Sequence, residues 1–124
     1  MRLLLDTNAL LWWREDSPRL SRRANDQIRN PGNAIVISIG SLWEIAIKRG
    51  LGKLRSPGDF EEMMAEEGFE LLGISYDHLR ALDGLPQHHR DPFDRLLIAQ
   101  TLAEGIPIAT GDRRFAAYGV QIVW

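Results

Sequence analysis

Four acidic side chains sit where a chain can gather them around a cation. Asp6 follows the apolar run Arg2-Leu3-Leu4-Leu5, and Glu44 lies within Leu42-Trp43-Glu44-Ile45-Ala46-Ile47. Asp94 follows Asp91-Pro92-Phe93, and Asp112 closes Thr110-Gly111-Asp112 after a second apolar run, Ile106-Pro107-Ile108-Ala109. In open α/β sheets ligands bind outside the carboxyl ends of the strands, so Asp6 and Asp112 are expected on one rim. Carboxylates held a few ångströms apart raise one another's pKa unless a cation lies among them. Converging carboxylates therefore point to a bound divalent metal, whose chemistry is to lower the pKa of a bound water and stabilise a leaving oxygen.

Each acid also has a plainer use. Asp6 precedes Thr7-Asn8 and a helix, so it can serve as an N-cap worth about 0.5 to 2 kcal/mol. Glu44 stands four residues before Lys48, the favourable order for a helix-surface pair of about 0.2 to 0.5 kcal/mol. Its neighbours are apolar almost all round, however, which implies a mostly buried helix whose carboxylate needs a strong partner. In Asp91-Pro92-Phe93-Asp94, Pro92 suits the first helical position, making Asp91 the cap and Asp94 the third helical residue. Asp94 then sits at the positive end of the helix, where an anion gains about 0.3 to 1 kcal/mol. Asp112 can cap the short helix after it. Ser38 and Ser41 read mainly as caps of the Glu44 helix. His88 and His89 fall on an apparent loop as an exposed pair, and they are expected to have no catalytic part. Trp12 and Trp13, adjacent on a helix, do not share a face, so one of them is expected at the domain edge, as rim packing or a protein interface.

The elements that position these residues can be read from short apolar runs and turn signals. Strands are predicted at 2–5, 34–38, 69–74, 106–109 and 120–123, and helices at 7–14, 21–30, 39–49, 58–67, 75–83, 92–104 and 113–118. Gly50, Gly68, Gly84, Gly105 and Gly119 stand where helices commonly end. Strands alternating with helices imply a three-layer α/β/α sandwich around a mostly parallel five-stranded sheet. Pro31-Gly32-Asn33 and Ser56-Pro57-Gly58 read as turns, so residues 1–124 are expected to form one domain.

Composition narrows the class. The 124 residues contain no Cys, which excludes disulfides and thiolate metal sites and makes the cytoplasm the expected compartment. The opening apolar run is broken by Asp6, too short for a signal peptide or a membrane span. A net charge of -2 excludes a generally basic nucleic-acid coat. Polyanion binding would need local patches, and three are available: Arg19, Arg22 and Arg23; Lys48, Arg49, Lys53 and Arg55; and Arg90, Arg95, Arg113 and Arg114.

Taken together, Leu5-Asp6-Thr7-Asn8, Ser41-Leu42-Trp43-Glu44-Ile45, His89-Arg90-Asp91-Pro92-Phe93-Asp94-Arg95-Leu96-Leu97-Ile98-Ala99 and Thr110-Gly111-Asp112 resemble the motifs of PIN-domain ribonucleases of the VapC toxin type, nearly end to end. The resemblance implies metal-dependent RNA cleavage with Asp6, Glu44, Asp94 and Asp112 as acidic ligands of Mg²⁺ or Mn²⁺. It also implies a cognate antitoxin bound across the groove and, commonly, a homodimer. Within that frame Asp6 and Asp94 are expected as direct ligands, Glu44 as ligand or water-orienting base, and Asp112 as a second-site or outer ligand. Thr7, Asn8, Ser38 and Thr110 are candidates to orient waters. Gly111 departs from the family, which often has a larger or polar residue there.

Two other classes compete. A phosphoryl-transfer or receiver-type α/β domain would also place Asp at strand ends. It would need a second Asp after Asp6 and a late-strand Lys, whereas Thr7-Asn8 follow and the last Lys is Lys53. A catalytically inactive interaction module would not be expected to retain all four acids.

Overall fold

The computed structural model describes residues 1–55 and 59–124. The elements run β1 (Arg2–Leu5), α1 (Thr7–Arg14), α2 (Arg22–Arg29), β2 (Ala34–Ser38), α3 (Ile39–Gly50), α4 (Phe60–Glu67), β3 (Glu70–Leu72), α5 (Tyr76–Asp83), α6 (Pro92–Glu104), β4 (Ile108–Ala109), a 3-10 helix (Arg113–Tyr118) and β5 (Ile122–Val123). The strands form one five-stranded sheet in the order β3-β2-β1-β4-β5, parallel at every pairing.

The sheet is buried on both faces, which is why its central strands are continuous apolar runs. Leu3, Leu5, Ile35 and Ile37 point into a core with Ala9, Leu10, Ile28, Phe60 and Met64 from α1, α2 and α4. Leu4, Val36 and Ile108 point the other way, against Leu97, Ile98, Ala99 and Phe115. The expected three-layer sandwich is the observed one. The last three strands are shorter than predicted: 69–74 contracts to Glu70–Leu72, 106–109 to Ile108–Ala109, and 120–123 to Ile122–Val123. Pairing reaches slightly beyond these cores, through the Pro107 and Gln121 carbonyls, without extending the strands. The helix expected over 58–67 is described from Phe60, and the Ser56-Pro57-Gly58 turn lies outside the described residues.

Connections leave β1 toward β2 on one side, while β4 joins β1 on the other, so the strand order reverses between β1 and β4. That reversal opens a crevice at their carboxyl ends. Asp6 lies immediately beyond β1, and Thr110 to Asp112 lie beyond β4.

Three local expectations change. The segment 113–118 is a 3-10 helix, capped by Asp112 and ended by Gly119 at φ 73°. Gly50 is the last residue of α3, which Gly52 closes at φ 70°, and Gly84 ends α5 in a right-handed conformation, so of the five glycines expected there Gly68, Gly105 and Gly119 close helices in the left-handed region. Finally, α3 is not mostly buried. Its apolar surface is divided between an inner side, with Ile45 at 2% exposure, and an outer row of Ile39, Trp43 and Ile47, with Trp43 at 58%. Residues four apart line one helix face, and here that face meets solvent.

The approach of α3 to α6 depends on Gly40. A methyl group there would stand 2.5 Å from Leu96 Cδ2, so the missing side chain lets the two helices close up.

Candidate metal centre

Asp6 does cap α1: its Oδ1 accepts from the Ala9 N–H at 2.7 Å. Its Oδ2 accepts from the Thr110 hydroxyl at 2.6 Å, tying the ends of β1 and β4 together. The cap occupies one oxygen and the tie to Thr110 the other, so capping alone does not account for this carboxylate. Burial pushes the Asp6 carboxyl up to about 6; the two hydrogen bonds oppose that rise, and the charges of Asp112 and Glu44 add to it.

Glu44 is buried on the inner side of α3. The Thr7 hydroxyl lies 2.7 Å from its Oε1 and 3.0 Å from Ser41 Oγ, and the Lys48 ammonium lies 2.6 Å from its Oε2. The surface-pair expectation is met by a carboxylate that is buried, with only the lysine reaching solvent. Lys48 is raised chiefly by its bond to Glu44 and further by Asp91 and Asp94, so it faces the acidic cluster. Ser38 caps α3 through the Gly40 N–H, whereas Ser41 lies inside the helix and contacts Thr7, so it is not a cap.

Asp91 is the N-cap of α6, accepting from the Phe93 and Asp94 N–H groups at 2.9 Å, with Pro92 opening the helix. Asp94 is left free of capping duty. Its carboxyl is raised to about 7, first by burial and then by Asp91, with Asp6 and Glu44 contributing; His89 opposes the rise. Asp112 behaves oppositely. The Arg114 guanidinium grips it at 2.9 Å (Nε to Oδ1) and 2.8 Å (Nη2 to Oδ2), and this holds the carboxyl down at about 2.

The expectation for the histidine pair is met by His88, which is exposed, and overturned by His89, which is 2% exposed. The His89 Nε2 atom stands 3.0 Å from Asp94 Oδ2 and 3.0 Å from Asp112 Oδ2. His89, Asp94 and Asp112 each offer a ligand atom within 4.8 Å of the others. What buries His89 is remote in the chain: Tyr118 accepts its backbone N–H at 2.7 Å, and Phe115 packs edge-on against its ring. No local pattern around residue 89 carries that information.

Asp6 and Asp112 share a groove of about 390 Å³ with Asn8, Trp12, Arg19, Gly111, Arg114 and Trp124. Gly111, the departure noted above, has a structural reason: a side chain there would meet the Trp124 ring at 3.0 Å. A larger groove of about 660 Å³, lined by Trp13, Arg14 and Glu66 among others, contains none of the four acids. Trp12 and Trp13 are both half-buried against the core beside Trp124 and Phe69, which is rim packing. Arg95 leaves the expected basic patch, because its guanidinium turns inward to the carbonyls of Leu85, Pro86 and His89.

These residues fit a hard divalent ion. The donors are carboxylate oxygens, as Mg²⁺ and Mn²⁺ require. Two of them, Asp6 and Asp94, carry an electrostatic cost that a cation would remove. Lys48 and Arg114 already neutralise part of the charge.

Comparison with known proteins bears on the fold. VapBC2 from Rickettsia felis, bound to a DNA fragment from its promoter, matches with a TM-score of 0.66 and 16% identity, covering 98% of this chain and 97% of that one. DNA-bound VapBC from Salmonella typhimurium matches with a TM-score of 0.62 and 20% identity, over 98% and 96%. A toxin-antitoxin complex from Klebsiella pneumoniae matches with a TM-score of 0.61 and 22% identity, over 92% and 90%. No curated protein sequence matches the chain. At such identities the structures speak for the fold alone, but the PIN domain family model matches residues 3–121. The sheet order, the acids at its rim and that match lead to one conclusion: the chain belongs to the PIN domain family.

Proposed function

We propose that residues 1–124 form one nuclease domain, a cytoplasmic divalent-metal-dependent endoribonuclease that acts as the toxin of a toxin-antitoxin pair. The observation that carries this reading is the meeting of Asp94 and Asp112 on His89, beside Asp6, at the crevice between β1 and β4 of a PIN fold. RNA as the substrate and the toxin role rest on the resemblance to VapC toxins and on the complexes that the related folds form.

Asp6 and Asp94 would hold the ion directly, Glu44 would hold it or orient a water, and Asp112 would act from a second or outer position. A bound Mg²⁺ or Mn²⁺ supplies an acidified water and screens charge on the scissile phosphate. The protein's own contribution is placement. Thr110 fixes one Asp6 oxygen and Ala9 the other, so this carboxylate cannot rotate. Thr7 and Lys48 set the plane of Glu44, leaving it an acceptor for a proton or a water at the crevice. Arg19 and Arg114, on the groove that holds Asp6 and Asp112, offer guanidinium groups to RNA phosphates. An antitoxin segment laid over the same groove would meet Trp12 and Trp124, while the outer row of Ile39, Trp43 and Ile47 supports self-association.

The test is RNA cleavage by the chain alone, with and without chelator, alongside Asp6→Asn. Cleavage should require Mg²⁺ or Mn²⁺ and fall to the chelated level in the mutant. Undiminished cleavage by Asp6→Asn, or in EDTA, would remove the reading.

A further inference from the structure

We propose that His89 is a positioning residue: its Nε2–H anchors Asp112 at the point where Asp112 meets Asp94, and its ring stays outside the coordination sphere of the metal. The inference rests on the metal-site reading above and adds to it a residue that the acidic motifs do not include.

The argument begins with the proton on the ring. His89 Nδ1 accepts a hydrogen bond from the Asp91 backbone N–H at 3.2 Å, so its lone pair is committed and the ring proton lies on Nε2. Nε2–H donates to Asp112 Oδ2 at 3.0 Å, and Asp94 Oδ2 stands at the same distance from Nε2 without accepting a hydrogen bond. A histidine that binds a metal does the reverse: it presents a lone pair to the ion and donates its other N–H to an acceptor. Here the nitrogen that faces the acids carries the proton, and the nitrogen with the lone pair faces a donor. The two distances from Nε2 to the carboxylates would suit a mixed nitrogen and oxygen site, but the tautomer does not.

The ring also has no freedom to turn over. Its backbone N–H is bound by Tyr118, its carbonyl accepts from Arg95 Nη1 at 3.3 Å, and Phe115 stands edge-on to it at 5.8 Å. Arg95 and Tyr118 therefore latch the loop that carries His89, which accounts for an arginine turned inward beside a nucleic-acid groove. Among the described residues, Asp94 has no other side-chain partner within ion-pair distance. Asp94 comes from the start of α6 and Asp112 from the loop after β4, so the anchor sets where Asp112 stands relative to a ligand carried by a different element.

Two measurements test this without RNA. The first is the ring ¹⁵N spectrum of the metal-free protein, where His89 should show a protonated Nε2 and an unprotonated Nδ1 that accepts a hydrogen bond. A proton on Nδ1 with a bare Nε2 overturns the proposal. The second is Mn²⁺ binding by calorimetry and electron paramagnetic resonance for wild type, His89→Gln, His89→Asn and His89→Leu, each checked for folding by its melt in EDTA. Loss of an outer partner of a metal ligand commonly costs about 10- to 100-fold in affinity. His89→Leu and His89→Asn, neither of which places a donor at the Nε2 position, should show that loss. His89→Gln, whose amide N–H reaches that position, should recover most of the affinity. Wild-type affinity in His89→Leu, equal losses in His89→Gln and His89→Leu, or directly bound nitrogen in the wild-type Mn²⁺ spectrum would each refute the anchor. If wild type binds no Mn²⁺ at all, the metal-site reading fails, and the anchor fails with it.

Discussion

Replacing Asp94 with Asn should stabilise the metal-free protein, and the gain should depend on pH in a specific way. The Asp94 carboxyl is raised from an ordinary 3.8 to about 7 in the fold, mainly because it is buried. Below pH 4 it is protonated both folded and unfolded, so it contributes no pH dependence. Between about 4 and 7 the unfolded chain releases the proton while the folded chain keeps it, and wild-type stability falls as pH rises. Above 7 both states are ionised and the full cost remains. A gap of about three pH units, at about 1.4 kcal/mol each, sets a ceiling near 4 kcal/mol. With 24% of the side chain facing solvent, screening reduces this, and a gain of about 1 to 2 kcal/mol at pH 8 is expected. For a chain of this length that is a rise in Tm of about 4 to 8 °C. Melts in EDTA from pH 4.5 to 8.5 provide the assay, with Asp91→Asn as companion. Asn caps as well as Asp, so Asp91→Asn should keep the helix start. It also removes the second cause of the Asp94 rise and should move the wild-type transition to lower pH. A pH-independent difference, or an Asp94→Asn protein less stable than wild type at pH 8, would refute the electrostatic account and make Asp94 a structural residue.

Two further outcomes follow from the same geometry. Mg²⁺ at one hundred times its dissociation constant should stabilise wild type by about 2.7 kcal/mol, and Asp94→Asn by clearly less; equal shifts in paired melts would show that the ion binds elsewhere. Gly111→Ala should cost about 1 to 3 kcal/mol in urea unfolding, because the new methyl meets the Trp124 ring at 3.0 Å; an unchanged midpoint would mean that the ring moves aside freely.

Much of this arrangement could be read from the chain. Strand β1 and helix α6 have boundaries set by local chemistry: three leucines ended by a capping aspartate in one case, and Asp91-Pro92 followed by an apolar run in the other. The parallel pairing follows from alternation of strands and helices; Asp6, Asp94 and Asp112 follow from their places at element ends, and Glu44 from its place in an apolar helix. What could not be read depends on contacts between distant residues. His89 is buried by Phe115 and Tyr118, and Arg95 is turned inward by carbonyls of the 85–89 loop. The outer row of α3 failed for a different reason. An apolar helix reads as buried, and nothing within Ile39–Gly50 shows that only its inner side meets the rest of the fold.

The contact between Gly40 and Leu96 bears on how such a protein escapes its own activity. Glu44 rides on α3 and Asp94 on α6, and the gap between those helices is set by one absent methyl group. If the chain is the toxic nuclease proposed above, a cell that survives it selects alleles that blunt it, and the acids are the obvious targets. Gly40 offers a second class of survivor: a replacement places bulk against Leu96 between the helices and, where that side chain cannot turn aside, spreads Glu44 from Asp94 while leaving all four acids intact. A catalogue of escape alleles would therefore contain a residue with no polar side chain and no contact with substrate, and its presence there would report spacing instead of chemistry.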